Sequence, residues 1–249
     1  MREWRNCQAD VIVLTRDPMV GGALGIYLLV YVYLMNLSAS FLADVTQVGY
    51  FGRQGLLNAA LFGRYAVVVA AAALGARDGD WGTWALRLAG TTRQTMLASR
   101  FMVVIGLAVV MSVVSWLPGL ALDAVAGVGV VVNPATLAQI LLTVWDICVW
   151  AVVAFAIASA AGFVVGGAGT IIYAFVELWA EPRLPGQVLT VLPQWNITTV
   201  LRAVFPTDEP GIGPIAVHQG ILAQGLLVTL LYLVGSGAIA RHVLLRREF

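Results

Sequence analysis

The chain contains no lysine and little charge of either sign. Only 11% of its 249 residues are charged, and all 14 basic residues are arginines. So sparse a charge complement excludes an ordinary soluble domain with a charged surface. The net charge of +1 leaves no global field for nucleic acid. Cysteine is nearly absent, and Cys7 and Cys148 stand far apart, so there is no disulfide framework and no metal or redox spacing. His218 and His242 are single residues near helix ends without ligand partners. Phosphate-gripping Gly-Lys-Ser/Thr, His-Glu-x-x-His and Gly-x-Ser-x-Gly patterns are all missing. An enzyme is therefore not expected, and neither a cofactor nor a metal is expected on this chain. Any chemical work would draw its energy from another subunit. The exclusive use of arginine fits a GC-rich coding background and a bacterial source.

What is abundant is apolar length. Hydrophobic residues make up 60% of the chain and the mean hydropathy is +0.90. Several apolar runs approach the ~20 residues needed to cross a bilayer, and the charges cluster between them. The expected fold is an all-α polytopic membrane protein, one transmembrane domain over residues 1–249. The N-terminal segment carries Glu3, Asp10 and Asp17 before the first long apolar run, which argues against a cleaved signal peptide. Its apolar stretch at 11–14 reads as an interfacial helix, with Asp17-Pro18 as the junction to the first span.

Six spans are expected, at about 20–42, 57–76, 101–118, 137–158, 162–179 and 219–240. Residues 44–54 read as a connection, and Pro118 as the end of the third span. The apolar run 136–178 is too long for one crossing at ~1.5 Å per residue, so a tight turn is expected near 159–162. Prolines 182, 185, 193, 206, 210 and 214 divide the segment 180–216, in which short helices are expected before the last span. Arginines concentrate at the N-terminus, in residues 77–100 and at the C-terminus. The other side holds Arg53, Arg183 and Arg202 among five acidic residues. The positive-inside rule then puts both termini and the 77–99 loop in the cytoplasm, and 180–216 outside.

Arg64 and Asp146 are the clearest charges inside expected spans. An isolated charge in hydrocarbon is expensive, so each should face the bundle interior or water, and they are placed to pair across spans two and four. A structural ion pair is the plainest reading, and contact with a substrate or a gate is the functional one. Glu177 belongs at the outer end of span five, reaching headgroups or a cationic substrate. Tyr27, Tyr31, Tyr33, Trp116, Trp145 and Trp150 form no stripe that marks an aromatic cage, so lipid or core packing is expected of them.

The arginine-rich interruption at 77–100 carries a motif. Asp78-Gly-Asp-Trp-Gly-Thr-Trp-Ala-Leu-Arg-Leu-Ala-Gly-Thr-Thr-Arg-Gln-Thr-Met-Leu-Ala-Ser-Arg100 resembles the first cytoplasmic loop of the ABC-2 type transporter permeases. In that family an acidic residue is followed four positions later by a Gly-Thr pair, then by basic residues leading into the third span. Asp78 matches the acidic position, Gly82 and Thr83 the pair, Arg93 the basic patch, and Arg100 a position often held by lysine. Arg87 lies between these landmarks. Asp80-Trp81 and Thr91-Thr92 depart from the family's usual polar and basic residues. The resemblance implies a six-span exporter subunit in the bacterial inner membrane. It also implies a coupling helix in the 77–99 loop and separate ABC ATPase subunits that bind ATP and Mg. A second copy of the chain, or a related permease, would complete the transporter, with membrane lipids around it. The competing classes are a stand-alone channel or secondary transporter and a non-catalytic membrane scaffold.

Overall fold

The computed structural model describes residues 2–40, 49–80, 92–130, 132, 134–177, 197, 200 and 219–246. Among them there is helix and no strand. In chain order the helices are α1 (Arg2–Thr15), α2 (Pro18–Ser40), α3 (Tyr50–Asn58), α4 (Arg64–Asp80), α5 (Arg93–Val125), α6 (Pro134–Ala161), α7 (Phe163–Phe175) and α8 (Gln219–Arg246). A wide π-type turn, Ala59–Gly63, joins α3 to α4 without a break.

Five helical stretches are long and apolar enough to cross a membrane: Pro18–Ser40, Tyr50–Ala76, Gln94–Val125, Thr136–Ala161 and Leu222–Val243. The segment expected as the fifth span, 162–179, corresponds to the shorter apolar helix Phe163–Phe175. At ~1.5 Å per residue its 13 residues reach about 20 Å, against a hydrocarbon core of about 30 Å.

Burial separates the centre from the rim. In the apolar stretch of α3–α4, 78% is buried and in α6 67%, against 22% for α2, 33% for α5 and 17% for α8. The α4–α6 contact is the most extensive among the described residues; α7 packs on both helices, α8 on α6, α2 on α4, and α5 on both α4 and α6. Small residues make this centre. Ala66, Ala70, Ala71, Ala72 and Ala73 of α4 and Ala151, Ala154 and Ala158 of α6 are all buried. In a bilayer, where lipid tails are as apolar as leucine, such close backbone approach supplies the packing energy.

The two short connections follow their residues. Asp17 Oδ1 accepts hydrogen bonds from the backbone N–H of Met19 (2.9 Å) and Val20 (3.4 Å), capping α2 with Pro18 in its first turn, as the sequence predicts. Gly162, at φ 90°, makes the turn between α6 and α7 inside the expected 159–162 window. A side chain there would be strained by its own carbonyls.

Several expected helix boundaries move outward. Residues 50–54, read as loop, begin α3, and no local side chain caps them. The cap comes from α5 instead: the two Asp123 oxygens accept from the backbone N–H of Phe51 and Gly52, each at 2.9 Å. A fully buried carboxylate thus satisfies a helix N-terminus and its positive dipole. Pro118 does not end the third span, for α5 runs through it to Val125. Proline removes one ladder hydrogen bond, and transmembrane helices carry that loss when a neighbour packs on the site. Here α3 does: a Cβ on Gly119 would collide with the Phe51 carbonyl. Finally, the 77–99 loop shrinks at both ends, because α4 extends to Asp80 and α5 starts at Arg93, while α8 extends past 240 to Arg246. Apolar runs mark the slab a helix crosses, and helices outlast it.

Replacing Asp123 by Ala should destabilise the bundle by about 2–5 kcal/mol, since two donors lose a charged acceptor in a dry site. Asp123→Asn, which keeps one acceptor, should cost less. Reversible unfolding in mixed detergent micelles measures both, and equal stability of Ala variant and parent would reject the cap.

Candidate functional site

The wide turn before α4 determines where the central charge falls. An extra residue per turn at 59–63 shifts every later side chain around the helix axis, and such turns recur at functional positions. Gly63 in that turn is held between Tyr27 and Met111, whose side-chain atoms would lie 3.2 and 2.9 Å from an added Cβ. Tyr27 is in turn fixed by a short hydrogen bond with the Ser115 hydroxyl, and the Tyr31 hydroxyl donates to the Ser115 carbonyl at 2.7 Å. The next residue is Arg64.

Arg64 points into the α4–α6 contact and is fully buried. Its Nη1 lies 3.8 Å from Oδ2 of Asp146, which is equally buried. The two charges expected to pair across the bundle do so. Yet 3.8 Å is outside hydrogen-bond range. None of the guanidinium nitrogens and neither Asp146 oxygen has a hydrogen-bond partner. The guanidinium also lies 5.2 Å from the Trp150 ring centroid and 5.3 Å from that of Tyr65, a cation–π arrangement. Trp150, expected only to pack, is thus an electrostatic neighbour of the central charge.

Around this pair the polar groups follow one rule. Gln139, Thr143, Asp146 and Trp150 succeed one another on α6 at spacings of four, three and four, which places them on one helix face. Their relative exposures are 3%, 1%, 0% and 0%. Gln139 Nε2, Thr143 Oγ1, both Asp146 oxygens and Trp150 Nε1 all lack partners, as do the Tyr65 hydroxyl and Thr170 Oγ1 on α7. By contrast, Trp145 on another face of α6 donates its Nε1 to Thr229 Oγ1 of α8 at 2.7 Å. The neutral members of this row, Gln139 and Thr143, are not among the candidate residues of the sequence. The 4-3-4 spacing of polar residues within an apolar run was its signal.

Glu177, three per cent exposed, closes the opposite end of α7. It accepts from the Ile197 N–H at 3.3 Å and hydrogen-bonds with Tyr173. It also acts electrostatically on Asp146. Tyr173 stacks obliquely on Trp150, with centroids 5.7 Å apart, so Glu177 joins the same cluster rather than facing headgroups. Ile197 and Val200, both fully buried, pack against the bundle beside Trp150 and Leu56 respectively.

Of the expected coupling residues, Gly82, Thr83 and Arg87 lie outside the described residues. Asp78 is in the last turn of α4 and Arg93 opens α5, though only their backbone is described. Arg100 is buried, two per cent exposed, in the α1–α5 contact, where its charge acts on Asp10. Ser99 Oγ donates to Asp10 Oδ2 at 3.4 Å, and the Cys7 thiol to the Ser99 carbonyl at 3.5 Å. Arg100 therefore ties the N-terminal helix to α5. Among the described residues no cluster of three or more His, Cys, Asp or Glu is arranged to hold a metal.

No protein-family model matches this sequence, and no curated protein matches it.

At an effective dielectric of ~20, opposite charges 4 Å apart attract by roughly 4 kcal/mol, while desolvating each ion costs several. Without hydrogen bonds the pair does not repay its own burial. Removing one partner should still be worse than removing both. Asp146→Leu or Arg64→Met should each cost about 3–5 kcal/mol. The double variant Arg64→Met/Asp146→Leu should be nearer the parent. A double-mutant cycle on unfolding in micelles reads the difference, and additive costs would show that the charges are uncoupled.

Proposed function

We propose that the chain is the membrane-embedded permease subunit of an ATP-binding cassette exporter of the ABC-2 type. In this reading it crosses the bacterial inner membrane six times, with α7 and the residues after it forming the short fifth crossing, and both termini are cytoplasmic. It pairs with a second copy or a related permease and docks on separate ATPase subunits, which bind ATP and Mg. The carrying observation is where the motif of residues 78–93 falls. Asp78 falls in the last turn of α4, the helix that bears Arg64, Arg93 opens α5, the helix that bears Asp123, and Gly82-Thr83 lie between them in sequence. A partner pushing on Asp78, Gly82, Thr83, Arg87 and Arg93 would act on α4, one of the two central helices, and on α5, which carries the Asp123 cap. The exposed apolar faces of α2, α5 and α8 fit lipid and a second permease copy.

A second reading rests on the Arg64–Asp146 pair. Intramembrane charges mark pathways in channels and secondary transporters, which work without an ATPase.

The chain should copurify with an ATPase subunit whose hydrolysis depends on it. Deleting residues 80–90, or replacing Gly82-Thr83, should abolish ATP-dependent export while membrane insertion stays unchanged. Full export by the deletion variant would remove the coupling role. Gradient-driven flux in liposomes containing the purified chain alone would favour the second reading.

A further inference from the structure

We propose that a file of internal water runs along the α6 face from its Pro134 end to the Arg64–Asp146 pair and stops there, above a dry seal formed by α4 and α6. The unpartnered atoms of Gln139, Thr143, Asp146 and Trp150 are not scattered. They occupy one face of one helix over 11 residues, about 16 Å at 1.5 Å per residue. Buried polar side chains in folded proteins are almost always hydrogen-bonded, to protein or to ordered water. A row of exceptions on one face therefore points to a shared partner.

The chemistry of the row selects that partner. Arg64, Trp150 and the Gln139 amide offer donors, Asp146 offers only acceptors, and the Thr143 and Tyr65 hydroxyls serve as either. An anion would satisfy Arg64 and face the Asp146 carboxylate. A metal ion would satisfy Asp146 and face the guanidinium. Water accepts from the one and donates to the other, and buried waters with two to four polar neighbours are ordinary parts of proteins.

The file has a floor. Beyond Trp150 the same contact is made by Val153, Ala154 and Ala158 of α6 with Val68, Ala72 and Ala76 of α4, all buried and apolar. At Gly75 the helices approach so closely that an added Cβ would lie 2.5 Å from the Phe155 carbonyl oxygen. Ser159, buried at that level, is satisfied within α6, its hydroxyl donating to the Phe155 carbonyl at 2.8 Å. The arrangement is a half-path, wet to mid-bundle and closed beyond it, and it does not depend on what powers transport.

X-ray hydroxyl-radical footprinting of the wild-type chain in lipid nanodiscs tests this directly, because radicals born in bound water oxidise adjacent side chains. Trp150 and Phe155 are both fully buried on α6, one at the end of the file and one on the face turned to Phe101 of α5, with ring centroids 5.5 Å apart. After correction for intrinsic reactivity, Trp150 should be oxidised several-fold faster than Phe155. Gln139→Leu/Thr143→Val should lower the Trp150 rate towards that of Phe155. Equal protection of the two aromatics in the wild type would overturn the file, and equal labelling would overturn its confinement to the Trp150 face. Loss of ATPase copurification would leave both results standing, so this inference and the exporter reading fail separately.

Discussion

The bundle depends on the close contact of α4 with α6. Leucine-rich helices gain little by meeting in lipid, so these two are alanine-rich and approach until backbone meets backbone, at Gly75 against Phe155. The remaining helices follow from that contact. Helix α7 folds back on α6 through Gly162, α8 is tied to α6 by the Trp145–Thr229 hydrogen bond, and α2 and α5 cover α4. Tight packing on one half of the contact also makes the other half conspicuous. There, alanine gives way to Arg64, Asp146, Thr143 and Gln139, and the interface exchanges packing for unsatisfied polarity.

Holding Arg64 in that interface is a task distributed over the chain. Asp123 anchors the start of α3, and Gly119 lets α3 lie against α5. Ser115 fixes Tyr27, and Tyr27 confines Gly63 in the wide turn immediately before Arg64. Each link is a polar or small residue in a membrane-crossing helix, where substitution by leucine would look harmless on a hydropathy scale. Desolvation explains why they are arranged this way: a buried charge that is poorly hydrogen-bonded stays in place only if its backbone is over-determined.

Much of this was legible in the sequence, and the reasons differ by feature. Apolar run length located α2, α4, α5, α6 and α8, because bilayer thickness imposes that length whatever the neighbours. Asp17-Pro18 and Gly162 were legible because caps and left-handed turns are local chemistry. The Arg64–Asp146 pairing followed from the cost of charge in hydrocarbon. The start of α3 was not legible, since its cap, Asp123, is 72 residues from Phe51. Nor was the passage of α5 through Pro118, which a distant helix makes tolerable. The turn at 59–63 carries no sequence signature, being set by Tyr27 and Met111 from other helices. The role of Arg100 was obscured for the same reason: its partner is on α1, and only the fold brings α1 beside α5.

The geometry also says why a loop at one end of α4 could matter to a charge near the other. From Arg64 to Asp80 the helix is unbroken, 17 residues or about 25 Å. Its interior has no proline, so a displacement at Asp80 is carried along the axis rather than absorbed by a kink. A rod without a kink that ends in a buried, imperfectly paired charge would carry a push at Asp80 to the Arg64–Asp146 pair. In the exporter reading this is how residues 78–93 would reach the pathway. In the reading without an ATPase, the same rod would report the state of the pair outward to the loop.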